Sequence, residues 1–161
     1  MKVLVITTGG TIDKDYFDRL SEYRVGAPVV GRLLSQVRVA FEYEVISLFR
    51  KDSLDITAQD RREIRDLVAS RSEALVLITH GTDGLVETAL ALESLRGKTI
   101  VLTGALKPAA FNVTDAQFNI GCAIGALQSA VTGTYVVMNG RVFSAAEVEK
   151  NHAAQMFQPT Q

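Results

Sequence analysis

Apolar residues follow two different periods along this chain. Val3-Leu4-Val5-Ile6, Ala74-Leu75-Val76-Leu77-Ile78 and Thr99-Ile100-Val101-Leu102 are short runs, rich in β-branched residues, with no polar face. Such runs predict strands covered on both sides, as in a parallel sheet. Phe41 to Leu48 predicts one more strand, second in chain order. Between the strands the apolar positions fall at helical spacing. Val29, Val30, Leu33, Leu34 and Val37 follow Pro28, which suits a helix first turn. Ile64, Leu67 and Val68 follow a capping box of Thr57 and Asp60; Leu85, Ala89 and Leu92 are closed by Gly97; and Thr114 with Gln117 reads as a second capping box, opening a helix to about Ala130. Tyr135–Met138, Asn139-Gly140 and Arg141–Ser144 read as a hairpin with a type I′ turn.

Three stretches show neither period. Asp13 to Tyr23 is polar and carries two of the four tyrosines, which predicts a mobile lid loop over residues 13–27 at the end of the first strand. Phe49 to Ile56 reads as a connection leaving the second strand, and Ala145 to Gln161 has no strong pattern. Four strands alternating with four helices predict a single α/β domain over residues 1–161. Its sheet is doubly wound and mostly parallel, in flavodoxin-like order, with the C-terminal hairpin as an antiparallel edge. That order makes the first and third strands neighbours whose connections leave in opposite directions, so a crevice opens at their carboxyl ends.

Composition narrows the classes. A formal net charge of -1, with no basic cluster beyond Arg61-Arg62, offers nothing to attract nucleic acid. The one cysteine, Cys122, lies in the apolar run Ile120 to Leu127 and reads as a small core residue in a reducing compartment. With no apolar run of membrane-spanning length and no leader-like start, the expectation is a cytoplasmic protein.

Both strands that meet at the predicted crevice end in hydroxyl and glycine residues: Thr7-Thr8-Gly9-Gly10-Thr11 and Thr79-His80-Gly81-Thr82-Asp83. A threonine hydroxyl is a poor nucleophile unless a base takes its proton and nearby dipoles support the developing oxyanion. Asp83 and Lys150 are candidates for the first task, and the backbone amides around Gly10 and Thr82 for the second. Taken singly, Asp83 also suits a helix cap, Lys150 an ordinary surface lysine and Tyr16 an aromatic packed on the sheet.

Thr8-Gly9-Gly10-Thr11-Ile12 and His80-Gly81-Thr82-Asp83, in this order and spacing, resemble the two signature segments of the bacterial L-asparaginase family. The likeness continues through Gly104-Ala105-Leu106-Lys107-Pro108 and Asn139-Gly140-Arg141 to Lys150. The resemblance implies an amidohydrolase that releases aspartate and ammonia from L-asparagine through an acyl-threonine, with no cofactor and no metal. On it, Thr11 is the nucleophile and Tyr16 the assisting lid tyrosine, with Tyr23 as the rival. Thr82, Asp83 and Lys150 form the activating group. Ser53, beside Asp52, holds the substrate α-carboxylate, Gly10 and Gly81 line the substrate site, and His80 orders its loop. Family members of about twice this length complete the site with a second domain, so this chain is either a short form or a truncated relative. A homo-oligomer, dimer or tetramer, is expected to cover the tail residues Met156 and Phe157. The rival readings are a glutaminase or ammonia-supplying transamidation subunit of the same fold, and a non-catalytic module that holds a small anion.

Overall fold

The computed structural model describes residues 1–17 and 22–160. Its main sheet contains β1 (Lys2–Gly9), β4 (Glu42–Lys51), β5 (Leu75–Thr79), β6 (Thr99–Thr103), β7 (Gly133–Met138) and β8 (Arg141–Ser144). The order across the sheet is β4-β1-β5-β6-β7-β8, parallel as far as β7 and antiparallel at β8. The predicted doubly wound arrangement with its hairpin edge is therefore present. Asn139 and Gly140 take φ of 53° and 74°, the left-handed pair that a type I′ turn demands.

Helices cover both faces, which is why the strand runs lack a polar side. Leu4, Ile6, Val76, Ile78, Ile100 and Leu102 face α2 (Ala58–Ser70) and α3 (Leu85–Leu92), meeting Ile64, Val68, Leu85 and Ala89. The alternate residues Val3, Val5, Leu77 and Val101 face α1 (Val30–Gln36) and α4 (Ala116–Ser129), meeting Leu34, Ile120 and Ala123. A one-residue slip of β1 against β5 would exchange the two sets, so the Val5↔Leu77 register fixes which side of the sheet each loop leaves from. The Thr57–Asp60 capping box forms as predicted: Asp60 N–H donates to Thr57 Oγ1 (3.2 Å) and Thr57 N–H to Asp60 Oδ2 (2.8 Å).

Several expectations are corrected. The stretch expected to be a patternless loop contains an antiparallel hairpin, β2 (Lys14–Phe17) paired with β3 (Glu22–Val25); residues 18–21 of the predicted lid lie outside the described residues. Phe49, Arg50 and Lys51 belong to β4 rather than to a connection. Val37 is exposed, so the buried stripe of α1 is carried by Val30 and Leu34. Gly97 does not close α3, which ends at Leu92; it takes φ +73° in the turn before β6. Thr114 and Gln117 do not form a capping box. Asp115 stands at the cap position of α4, and its carboxylate is drawn away to the amides of Leu106 and Lys107, holding the loop after β6. The tail forms a second small hairpin, β9 (Val148–Asn151) with β10 (Met156–Pro159). Phe157 is only 2% exposed within the core, so of the two tail residues expected to need a partner subunit only Met156 remains at the surface. Among the described residues no helix is long and apolar enough to cross a membrane.

Candidate active site

Three loops meet at the carboxyl ends of β1, β4 and β5. Gly10, at φ +86°, lies so close to the Gly81 backbone that a Cβ on it would overlap Gly81 Cα and N. A Cβ on Gly81 would in turn stand 2.5 Å from Ser53 Cβ and 2.7 Å from Ser53 Oγ. The two glycines predicted to line the site are thus there because the 9–11 and 80–83 loops touch backbone to backbone and the Ser53 side chain packs directly on Gly81. Thr8 Oγ1 donates to Thr79 O (3.0 Å) and His80 N–H to Thr103 O (2.9 Å), tying the loops to neighbouring strand ends. Gly81→Ala is expected to push Ser53 aside and to lower stability by about 1–3 kcal/mol, the usual size of overpacking. Chemical denaturation measures this, and an unchanged midpoint would show that the loops separate without cost.

His80 is fully buried below this contact. Its Nδ1 lies 2.7 Å from Gly81 O, a pure acceptor, so Nδ1 carries the proton; Nε2 then accepts from Thr88 Oγ1 at 3.0 Å. Burial pushes its pKa down to about 4, opposed by the hydrogen bond to the Gly81 carbonyl and helped by the Arg61 charge. His80 is thus neutral and bridges its own loop to α3.

Thr82, Asp83 and Lys150 come together. Lys150 Nζ donates to Thr82 Oγ1 at 2.8 Å and to Asp83 Oδ1 at 2.6 Å, across 68 and 67 positions of sequence. Asp83 does not cap α3: Gly84 holds the cap position, with no side-chain bond. Lys150 is not an ordinary surface lysine either, because β9 carries it inward and pairs it with buried Phe157. With Lys150 donating to it, Thr82 Oγ1 keeps its own hydrogen for a further acceptor. His152, in the turn after β9, has its Nδ1 3.7 Å from Asp83 Oδ1.

Ser53 is buried in a single 3-10 turn (Ser53–Asp55), where its Oγ accepts from Asp83 N–H at 3.3 Å. Its hydroxyl hydrogen is left to donate, as a carboxylate-binding serine requires. Asp52 is engaged elsewhere: it accepts from Leu54 N–H and lies 2.7 Å from Lys14 Nζ, joining β2 to this turn. Burial raises the pKa of Asp52, but the hydrogen bonds from Lys14 and the amides of Leu54 and Ser53 outweigh it and hold the carboxyl below its ordinary value.

Thr11 opens the 3-10 turn Thr11–Asp13, immediately after Gly10 and therefore beside the 80–83 loop. Tyr16 and Tyr23 are cross-strand partners in the β2–β3 hairpin, on one face with ring centroids 5.4 Å apart. Both rivals for the lid role thus stand together, and Tyr23 also packs edge-on against Phe111 (5.6 Å). The structure corrects the proposed oxyanion donors at one point: Gly10 N–H donates to Lys51 O (2.9 Å) and is not available to a substrate.

The family model described as "Asparaginase, N-terminal" matches residues 2–159. The chain belongs to the asparaginase family. It is 33% identical to an L-asparaginase of Bacillus licheniformis, over 96% of this chain and 51% of that one. It is 30% identical to a glutaminase-asparaginase of Acinetobacter glutaminasificans, over 92% and 49%. Among solved structures, the thermostable L-asparaginase from Thermococcus kodakarensis superposes with a TM-score of 0.86 at 28% identity, covering 99% of this chain and 51% of that one. The chain spans about half the length of the asparaginase relatives it matches. Two features of the site had no sequence signal: the inward delivery of Lys150 by a half-exposed hairpin, and the Thr88 hydroxyl that fixes the His80 ring from within α3.

Proposed function

We propose that this chain is an amidohydrolase acting on the side-chain amide of L-asparagine, with Thr11 as nucleophile. The observation that carries this reading is the Lys150–Thr82–Asp83 group, assembled from distant segments next to the loop that holds Thr11. Thr11 Oγ attacks the amide carbon, and its proton passes, with help from the hairpin tyrosine Tyr16 or its partner Tyr23, to the departing nitrogen, which leaves as ammonia. The negative oxygen of the intermediate points at backbone amides of the Thr11 and Thr82 turns, Gly10 N–H being committed elsewhere. Water, oriented and activated by Thr82, Asp83 and Lys150, then cleaves the threonyl ester, returning the Thr11 hydroxyl and releasing aspartate. Ser53 donates to the substrate α-carboxylate. A lid built on the β2–β3 hairpin and a homo-oligomeric form belong to the same proposal.

The second reading, a glutaminase, is favoured by the name of the Acinetobacter relative. Glutamine is longer by one methylene, and a pocket separates such a pair by about 1–3 kcal/mol. Here the Ser53 and Thr11 loops are locked through Gly81 and Gly10, so the span from carboxylate holder to nucleophile cannot stretch to suit both. The kcat/KM for asparagine is therefore expected to exceed that for glutamine by at least about tenfold. Ammonia release by the purified chain from each amide tests both readings. Equal specificity constants would remove the preference, and release from neither, with aspartate still bound, would make the chain an anion-binding module.

A further inference from the structure

The β2–β3 hairpin leaves the site from Asp13 and returns to the body of the protein at Gly26. One residue holds both stems. Gly26 N–H donates to the Asp13 main-chain oxygen at 2.7 Å, continuing the Lys14↔Val25 pairing. The Asp13 carboxyl accepts from Val29 N–H at 2.9 Å through Oδ1, which ties the outgoing stem to the start of α1, just beyond the returning strand. The preceding carbonyl, Ile12 O, accepts from Ala109 N–H (3.1 Å), so the base of the hairpin is also fastened to the loop after β6.

The other carboxyl oxygen, Asp13 Oδ2, is buried without a hydrogen-bond partner among the described residues. The charged groups around it are Lys14 and Asp15 on β2, Arg32 on α1 and Arg50 on β4; the loop after β6 contributes only Ala110. Lys14 is committed to Asp52. A carboxylate with one bare buried oxygen is a poor ground state, whereas a protonated carboxyl keeps the Val29 bond and removes the buried charge.

We propose that Asp13 is a positioning residue that clasps the two stems of the hairpin against the mouth of the site, and that the clasp is held by the protonated carboxyl and loosened by its ionisation. The bearing of this on catalysis rests on the function proposed above, but the clasp is measurable without turnover. Burial, opposed by the Val29 amide and by Arg50, raises the Asp13 pKa to about 6 from an ordinary 3.8. The closed hairpin thus binds the proton more readily than an opened, hydrated one. Closure is fully favoured below the ordinary value, and the advantage is lost as pH rises through about 6, by a factor of up to roughly a hundred in the closing equilibrium.

Hydrogen exchange of the peptides covering residues 14–17 and 22–25, corrected for the chemical exchange rate, tests this in the wild-type chain, Asp13→Asn and Asp13→Ala at pH 5 and pH 8. The wild type is expected to be at least about fivefold more protected at pH 5. Asp13→Asn, neutral at both pH values, is expected to show protection that does not change with pH, and Asp13→Ala little protection at either. Exchange in β1 and β5 reports the fold, and if Asp13→Ala does not fold, Asp13→Asn against the wild type decides alone. Equal wild-type protection at the two pH values, or a pH dependence that survives Asp13→Asn, overturns the clasp. Asparagine turnover is read in parallel. A clasp that positions the lid raises KM and lowers kcat in Asp13→Ala while sparing Asp13→Asn, and absence of turnover in every variant counts against the proposed function, leaving the exchange result to judge the clasp.

Discussion

Thr11→Val is expected to abolish asparagine hydrolysis while the fold persists. Valine keeps the volume and the β-branch, so the 3-10 turn after Gly10 loses only a hydroxyl. Thr11 is partly exposed at the mouth of the site, and the packing that orders this loop comes from Ile12, which is fully buried, and from the contact of Gly10 with Gly81. On the role proposed for Thr11, losing its hydroxyl closes the covalent route altogether, and the neighbouring Thr82 is held in place by Lys150. Residual activity below about a hundredth of wild type is expected, at an unchanged thermal midpoint. Ammonia release and circular dichroism on the same preparation check both halves. Activity above that level assigns the chemistry to another group.

The second large effect is expected for Lys150→Met. Methionine fills the space of the lysine stem, so β9 keeps its backbone pairing with β10 and Phe157 stays in the core. What disappears is the cation that joins Thr82 Oγ1 to Asp83 Oδ1. Asp83, about one-third exposed, is then hydrated rather than buried alone, so the fold survives. The water that should cleave the ester is no longer oriented, and kcat is expected to fall by about a hundredfold or more with KM changed by less than about fivefold, the pattern of an interaction made in the transition state. Steady-state kinetics separates the two constants. A raised KM at unchanged kcat would reduce Lys150 to a binding residue.

The parts of this account that were legible in the sequence are those written in short range. Buried runs such as Val3–Ile6 and Leu75–Ile78 announce strands covered on both faces, and their endings in Gly10-Thr11 and Gly81-Thr82-Asp83 place hydroxyls where a parallel sheet binds ligands. Thr57 and Asp60 formed their capping box because nothing else competes strongly for the Thr57 hydroxyl. Thr114 and Gln117 form no capping box because the helix starts one residue later: Thr114 Oγ1 accepts from Ala116 N–H (3.1 Å) and donates to Lys107 O (3.0 Å), while Asp115, at the cap position, serves a loop nine residues back, and tertiary partners of that kind leave no local signal. The hairpins β2–β3 and β9–β10 were missed for a related reason. Each pairs strands of four residues, largely or partly exposed, so no alternation of apolar and polar positions is required to build them. Phe157 and Lys150 reach the interior by cross-strand pairing, which sets their direction only once β9 and β10 have met. The acceptor of the Gly10 amide, Lys51 O, lies at the end of β4, whose last residues Phe49, Arg50 and Lys51 carry no local strand signal.

A threonine on the first loop is proposed to carry the acyl group, and the Thr82, Asp83 and Lys150 group to govern its removal. The most direct measurement is peptide mapping by mass spectrometry of Lys150→Met, mixed with asparagine and quenched in acid. In this variant the ester should form and persist, so the account expects an aspartyl group on the peptide that contains Thr11, attached at Thr11 itself and absent from the double variant with Thr11→Val. An aspartyl group on Thr82, or an unmodified Thr11 in a variant whose wild-type parent hydrolyses asparagine, would contradict it.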